Sequence, residues 1–181
     1  GWAIGGWLLS GGEKMSKTAL NQIAPGDLVD DFGVDGVRYH FMRDQQFGPD
    51  GDFSYEAMVE RYNADLANNF GNLASRVLNM AVRYCDGVSP EARDNGVLEA
   101  EVEKARQGLD DGMAALDYSG GFGAVWDLIR ASNAYLEDEQ PWALHKTGDT
   151  ERTAAVLGDA LEALRVVALL ASPLIPNACD E

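Results

Sequence analysis

The chain has 181 residues, of which 46% are hydrophobic and 24% are charged, a composition typical of an ordinary globular protein. Acidic residues outnumber basic ones by 30 to 14, which gives a formal net charge of −16. This charge argues against indiscriminate nucleic-acid binding, because contacts to phosphate depend on Lys and Arg. The longest strongly apolar run, residues 166–171, is far shorter than the about 20 residues of a membrane-spanning helix. We therefore expect no membrane span.

The two cysteines and the two histidines are widely spaced along the chain, at Cys85, Cys179, His40 and His145. A tetrahedral zinc site needs clustered ligands, so the sequence predicts no metal site. No basic segment is followed by the apolar run of a secretory leader, which favours a cytoplasmic location. The chain begins with Gly within a Gly and Trp pattern, and we expect a missing N-terminal portion.

The first half of the chain predicts a loop-rich module followed by one long helix. Residues 1–26 are rich in Gly and Lys, and residues 27–44 predict a short helical pair broken at Gly33. Residues 47–53 read as a loop. Ser54 is a suitable N-cap for a helix over 54–84, which carries an apolar stripe at helical spacing: Leu66, Phe70, Leu73, Val77, Met80 and Tyr84.

The second half predicts three more helices. One begins with Ser89 as its N-cap and Pro90 at its first position, and extends to about Leu116. After a flexible Ser119–Gly123 segment, the next helix stops before Pro141. The last extends from about Thr150 to Ala171. Residues 54–175 therefore predict an antiparallel helix bundle.

The first candidate motif for binding or catalysis is Lys14-Met15-Ser16-Lys17-Thr18, which follows Gly11-Gly12-Glu13. Two lysines three positions apart, on a loop loosened by glycines, can place two ammonium groups on one polyphosphate and stabilise charge that develops in a transition state. The spacing differs from that of a Walker A loop. The alternative is a solvated surface loop.

The second motif is a polar face of the long helix, formed by Asn69, Asn72, Arg76 and Arg83 at steps of three, four and seven. Asn72 and Arg76 are one turn apart. An amide and a guanidinium at this spacing can hydrogen-bond the edges of one or two unstacked bases. A hydrated helix face is the alternative.

The third motif is Pro141-Trp142, which directly follows the acidic residues 137–139 and Gln140. A Trp after a helix-stopping Pro either packs beneath the bundle as core or presents its ring as a platform for base stacking. The residues alone leave both alternatives open.

In this order, the three motifs resemble the C-terminal part of methionyl-tRNA synthetase, a class I aminoacyl-tRNA synthetase. GGEKMSKT (11–18) is similar to the family's KMSKS loop, with Thr18 in place of the final serine. GVDGVRYHFMRD (33–44) and FGPDGDFSYEAMVERYNADLANNFGNLASRVLNM (47–80) resemble its stem-contact fold and first anticodon-domain helix, and NAYLEDEQPWAL (133–144) resembles its Pro-Trp segment. The combination of NLASR with PW distinguishes the methionine enzymes from other synthetases that share KMSKS.

The resemblance implies a mainly α fold, in which a small α/β stem-contact module carrying the KMSKS loop precedes an antiparallel anticodon-binding helix bundle. Residues 1–53 would form the end of the catalytic domain, and residues 54–181 the anticodon-binding domain. It also implies that Lys14 and Lys17 are catalytic, since they hold ATP and stabilise the departing pyrophosphate. The ATP-binding loop would comprise Lys14, Met15, Ser16, Lys17 and Thr18.

The resemblance further implies that Asn72, Arg76 and Trp142 read the CAU anticodon of tRNA(Met), with Trp142 stacked on its first base. The corresponding enzyme activates methionine with ATP, accompanied by Mg²⁺, to methionyl-adenylate and transfers it to the tRNA. It implies neither a DNA partner nor a membrane partner.

The sequence departs from the family pattern in two places. It contains no HIGH-type motif, and the His-Gly pair that often precedes the lysine loop is Gly5-Gly6 here. We therefore expect methionine and ATP to bind through a nucleotide-binding Rossmann half that this sequence lacks, and the segment alone to be inactive. The alternative is a non-catalytic tRNA-binding helix bundle derived from a class I synthetase.

Overall fold

The computed structural model describes residues 6–15, 23–44, 48–93 and 97–180. A small sheet and a helical bundle make up these ranges, which confirms the predicted mainly α fold. Within them, no helix is long and apolar enough to cross a membrane. The elements in chain order are β1 (Leu8–Ser10), β2 (Glu13–Lys14), α1 (Pro25–Asp44), β3 (Gly51–Phe53), α2 (Tyr55–Arg61), a π-helical segment (Tyr62–Gly71), α3 (Asn72–Tyr84), α4 (Val97–Ala115), α5 (Tyr118–Glu139), α6 (Pro141–Thr147), α7 (Thr150–Ala171) and α8 (Pro176–Asp180).

The sheet has the strand order β2-β1-β3. β1 pairs antiparallel with β2, where Leu9 faces Lys14, and parallel with β3, where Leu9 faces Asp52. The prediction of a loop over 47–53 is wrong at β3, which forms a strand there. The sequence does not reveal this strand, because three residues are too few to show an alternation of apolar and polar side chains. The strand holds the β1–β2 hairpin against the helices, since Phe53 at its end is buried.

The predicted break in α1 occurs at Gly33, whose φ of 70° and ψ of 167° lie in a region open to glycine. The predicted long helix over 54–84 is confirmed as continuous helical backbone, and the Ser54 side chain caps it by accepting a hydrogen bond from the Ala57 backbone N–H. Its middle part, Tyr62–Gly71, is π-helical, which changes the angular relation between the residues before and after it.

The main core lies where α5 packs between its neighbours α4 and α7. Trp126, Val125 and Ile129 of α5 are fully buried, as are Val77 of α3 and Val167 of α7. Each fully buried side chain of this size stabilises the fold by about 1.5–3 kcal/mol relative to an exposed one. The rigid bundle thus holds α3, α5 and α6 as a framework for surface side chains.

The prediction of a helix starting at Ser89 and Pro90 is wrong, because α4 begins at Val97. Residues 89–93 are irregular, and Arg93 is held by Asp159 of α7, which accepts hydrogen bonds from both its backbone and its guanidinium. A long-range contact therefore replaces the local helix preference.

The prediction of a flexible Ser119–Gly123 segment is also wrong, because α5 begins at Tyr118. The Asp117 side chain caps this helix by accepting a hydrogen bond from the Gly120 backbone N–H at 2.9 Å. The glycines permit close packing with α4: a Cβ on Gly112 would lie 2.5 Å from the Cα of Gly121. The short helices α6 and α8 were not predicted.

Candidate nucleic-acid interface

A sharp turn between α5 and α6 creates the central feature of this surface. Gln140 adopts a left-handed conformation with φ 47° and ψ 60°, which ends α5 at Glu139. Pro141 then begins α6, where its fixed φ suits the first helical position and its missing N–H costs no hydrogen bond. The next residue, Trp142, lies beside α3 as a result.

Arg76 of α3 lies at the centre of the surface. Its guanidinium carbon is 5.5 Å from the centroid of the Trp142 ring, within the range of a cation–π contact. One of its nitrogens donates a 2.7 Å hydrogen bond to Glu137 near the end of α5. The Arg76 side chain is 28% exposed and that of Glu137 is 60% exposed, so a ligand has access to both.

Asn72 lies one helical turn before Arg76, on the same face of α3. It is exposed, and within the described ranges its side chain makes no hydrogen bond. Trp142 is half-buried and is not part of the hydrophobic clusters found in these ranges. Trp142 therefore lies outside the described core clusters, and its use as a stacking platform stays a prediction.

The arrangement has the parts that recognition of an unstacked base requires. An aromatic ring offers a stacking surface, while a guanidinium and an amide offer hydrogen bonds to base edges. Because Glu137 already engages Arg76, a base that binds Arg76 must displace this carboxylate or share the guanidinium with it.

The outer members of the predicted polar face have different environments. Asn69 is half-buried, and its side-chain amide lies 3.5 Å from Asp65 in the interior, so it belongs to the internal packing. Arg83 is exposed and lies over the ring of Tyr84, 5.8 Å from its centroid.

Sequence reasoning missed the pairing of Tyr84 with His145 of α6. The two rings stack with centroids 4.1 Å apart and an interplanar angle of 20°. The sequence places Tyr84 in the apolar stripe, but its side chain is only half-buried. One indication was available in the sequence. Trp142 and His145 are three residues apart, so in a helix both lie on the same side and can face the same neighbouring helix.

The first lysine of the predicted polyphosphate loop lies on the β1–β2 hairpin. Lys14 is exposed, and its ammonium nitrogen is 3.9 Å from the centroid of the Trp7 ring. Met15 is half-buried and packs against a small cluster around Leu28 and Met58. The remaining predicted loop residues, Ser16, Lys17 and Thr18, lie outside the described residues.

Two aspartates anchor this hairpin, and sequence reasoning missed both. Asp50 accepts a 2.7 Å hydrogen bond from the Trp7 backbone N–H, and Asp52 accepts a 3.1 Å hydrogen bond from the Gly12 backbone N–H. These two hydrogen bonds fix the backbone of the hairpin, and with it Lys14, to β3 and to the residue directly before it.

A polar network connects α1 to the helix that leads into α3. The hydroxyl of Tyr39 donates a 2.7 Å hydrogen bond to the buried Asp65, and burial together with this carboxylate raises the pKa of Tyr39. Arg61 bridges Asp65 and Asp44, and Nδ1 of His40 lies 2.9 Å from Asp44. The network joins the last turns of α1 to the end of α2 and to the π-helical segment.

The mainly α fold and these side chains are typical of the tRNA-recognising part of an aminoacyl-tRNA synthetase, and comparison with known families agrees. Residues 3–78 match the family model described as tRNA synthetases class I (M). Residues 86–181, more than half of the chain, match the model described as the anticodon binding domain of methionyl tRNA ligase. These matches confirm the resemblance drawn from the three motifs.

The chain belongs to the methionyl-tRNA ligase family. It is 42% identical over 186 residues to the methionine–tRNA ligase of Streptomyces coelicolor, which covers 97% of this chain and 34% of the relative. It is 40% identical over 184 residues to that of Brucella suis, covering 97% of this chain and 35% of the relative. The chain thus spans about a third of the length of these relatives.

Solved structures show the same likeness. The crystal structure of Mycobacterium tuberculosis methionyl-tRNA synthetase bound by methionyl-adenylate superposes with a TM-score of 0.88 at 34% identity, covering 96% of this chain and 35% of that one. The free-state structure of the same enzyme gives a TM-score of 0.85 at 32% identity, covering 97% of this chain and 35% of that one.

Proposed function

We propose that this chain is the part of a methionine–tRNA ligase that recognises the CAU anticodon of tRNA(Met). The observation that carries the proposal is the contact between Arg76 and Trp142 across α3 and α6. Their sequence separation is large, and the fold brings a guanidinium to an accessible aromatic ring. Residues 54–181 form the anticodon-binding domain in this proposal, and residues 1–53 form the end of the catalytic domain.

Recognition combines stacking with hydrogen bonding. The ring of Trp142 stacks on the first anticodon base, and the side chains of Asn72 and Arg76 hydrogen-bond base edges. A wrong base is rejected because it leaves polar groups of the site without partners, a penalty much larger than the loss of a simple apolar contact.

In the full-length enzyme, methionine reacts with ATP, bound with Mg²⁺, to form methionyl-adenylate and pyrophosphate. The aminoacyl group then moves to the terminal adenosine of the tRNA. The ATP-contacting loop comprises Met15, Ser16 and Thr18 together with Lys14 and Lys17, and the two lysines stabilise the negative charge on the departing pyrophosphate. The match of residues 3–78 to class I synthetases and the methionyl-adenylate in a structural neighbour support this role. The reaction takes place in the cytoplasm.

Binding of RNA stem-loops to this chain tests the anticodon proposal. We expect it to bind a CAU stem-loop more tightly than an otherwise identical loop with one anticodon base changed, at low salt. Asn72→Ala should reduce this preference, because it removes an exposed amide that makes no hydrogen bond within the described ranges. Equal binding of both loops by the wild-type chain would contradict the proposal.

The roles of the lysines are tested separately in the full-length enzyme. We expect Lys17→Ala to lower adenylate formation, measured as ATP–pyrophosphate exchange, far more than tRNA binding. Equal losses in both would contradict the assignment. A full-length protein that prefers the CAU loop but forms no adenylate would favour the non-catalytic tRNA-binding alternative.

A further inference from the structure

The basic side chains of this acidic chain are largely engaged by protein groups in the described ranges. Most form ion pairs with carboxylates, such as Arg106 with Glu103, and others donate to backbone carbonyl groups, such as Arg43 to Ser119. Arg83 and Lys146 differ: both are exposed, and within those ranges neither donates a hydrogen bond to the protein.

These two cations lie at the same end of neighbouring helices. Arg83 is in the last turn of α3 and Lys146 is in the last turn of α6. Their chain neighbours Tyr84 and His145 form the stacked ring pair that joins the two helix ends. We call these four residues the Arg83–Lys146 patch.

The patch continues the proposed anticodon surface. Arg83 follows Arg76 by two helical turns on the same face, roughly 10 Å further along the axis of α3. Lys146 follows Trp142 by one turn on α6. A stacked nucleic-acid strand advances about 3.4 Å per nucleotide, so the distance along α3 corresponds to about three nucleotides, the length of the triplet itself.

Helix dipoles favour a cation at each C-terminus, which accounts for each position separately. They do not account for two cations without a carboxylate partner in the described ranges, each next in the chain to a member of one aromatic stack, when carboxylates are twice as abundant as basic groups. An anionic strand that leaves the triplet would find both cations along its path.

We propose that the Arg83–Lys146 patch binds the phosphodiester backbone of the anticodon loop just outside the triplet. This inference rests on the proposed function, and it adds a contact that does not depend on base identity. Contacts to phosphate position a nucleic acid and contribute affinity, whereas base contacts carry the discrimination.

The test compares the wild-type chain with the double variant Arg83→Gln/Lys146→Gln over a series of salt concentrations. The ligands are a CAU RNA stem-loop and the base-changed loop. The control is Lys104→Gln/Arg106→Gln, which removes the same charge from exposed, ion-paired positions on α4. Circular dichroism confirms that all variants remain folded.

We expect the patch variant to bind both loops several-fold more weakly, with an unchanged ratio between them. The slope of log affinity against log salt should fall by about 1.4, because each single-strand phosphate contact contributes about 0.7. A slope equal to that of the control variant would overturn the inference. If the wild-type chain fails to prefer the CAU loop, the proposed function itself is contradicted, whatever the slopes are.

Discussion

The guanidinium of Arg76 lies 5.5 Å from the centroid of the Trp142 ring, although 65 residues of chain separate the two. The left-handed Gln140 makes this contact possible, because it ends α5 and turns Pro141 into the start of a new helix. The site therefore depends on one backbone turn as much as on the side chains that form it.

Trp142→Ala should weaken binding of the CAU stem-loop by about 1–3 kcal/mol, the usual contribution of one stacked base. Trp142→Phe should retain part of this affinity, since it keeps an aromatic face. Fluorescence anisotropy with labelled stem-loops measures both, and thermal unfolding serves as the control. A full loss of affinity in Trp142→Phe, with unchanged folding, would show that stacking is not what the ring supplies.

Glu137→Gln should increase affinity for RNA. The change releases Arg76 from a 2.7 Å ion pair and removes a negative charge that repels the phosphates of a bound strand. Because screening by salt weakens interactions between exposed charges, the gain should shrink as salt is raised. Titrations at low and high salt measure this effect. Glu103→Gln on α4 is the matched control, and an equal gain there would mean that net charge alone is responsible.

The sequence predicted the face of α3 because Asn72 and Arg76 lie on one helix, where spacing defines position. It left the fate of Trp142 open, since a ring's surroundings depend on elements far apart in the chain. The ion pair with Glu137 and the stack of Tyr84 on His145 were missed for the same reason.

Local patterns also misplaced the start of α4. The Ser89-Pro90 pair is a sound helix-start pattern, but its segment is held instead by Asp159, distant in sequence. Periodicity along one helix carries no information about such a partner. The kink at Gly33 and the Ser54 cap were predicted because each depends on the residue itself and its immediate neighbours.

Asp159→Ala should destabilise the fold by about 1–3 kcal/mol, because the backbone N–H of Arg93 and the hydroxyl of Tyr135 both lose an acceptor. Asp159 is 3% exposed and accepts hydrogen bonds from Arg93 and from the hydroxyl of Tyr135. Burial and this carboxylate raise the pKa of Tyr135 to about 12. Urea unfolding followed by circular dichroism measures the change in the free energy of unfolding.

An exposed pair provides the comparison for that measurement. Asp127 of α5 pairs with Arg130 at the surface, and both side chains are at least half exposed. Asp127→Ala should change the free energy of unfolding by less than about 1 kcal/mol. A similar loss in the two variants would mean that the Asp159 network contributes no more than a surface ion pair.

Asp44 should make the stability of the chain depend on pH in the acid range. Burial alone would raise the pKa of this carboxyl, but the neighbouring His40 and Arg61 side chains outweigh it and hold the pKa below the ordinary 3.8. Since the folded chain favours the charged form, its contribution is present above pH 3.8 and is lost as pH falls through the lower, folded-state pKa. The free energy of unfolding should therefore fall more steeply with acid in the wild-type chain than in Asp44→Asn. Urea unfolding between about pH 5 and 2 measures this difference, and parallel curves would contradict the role of Asp44.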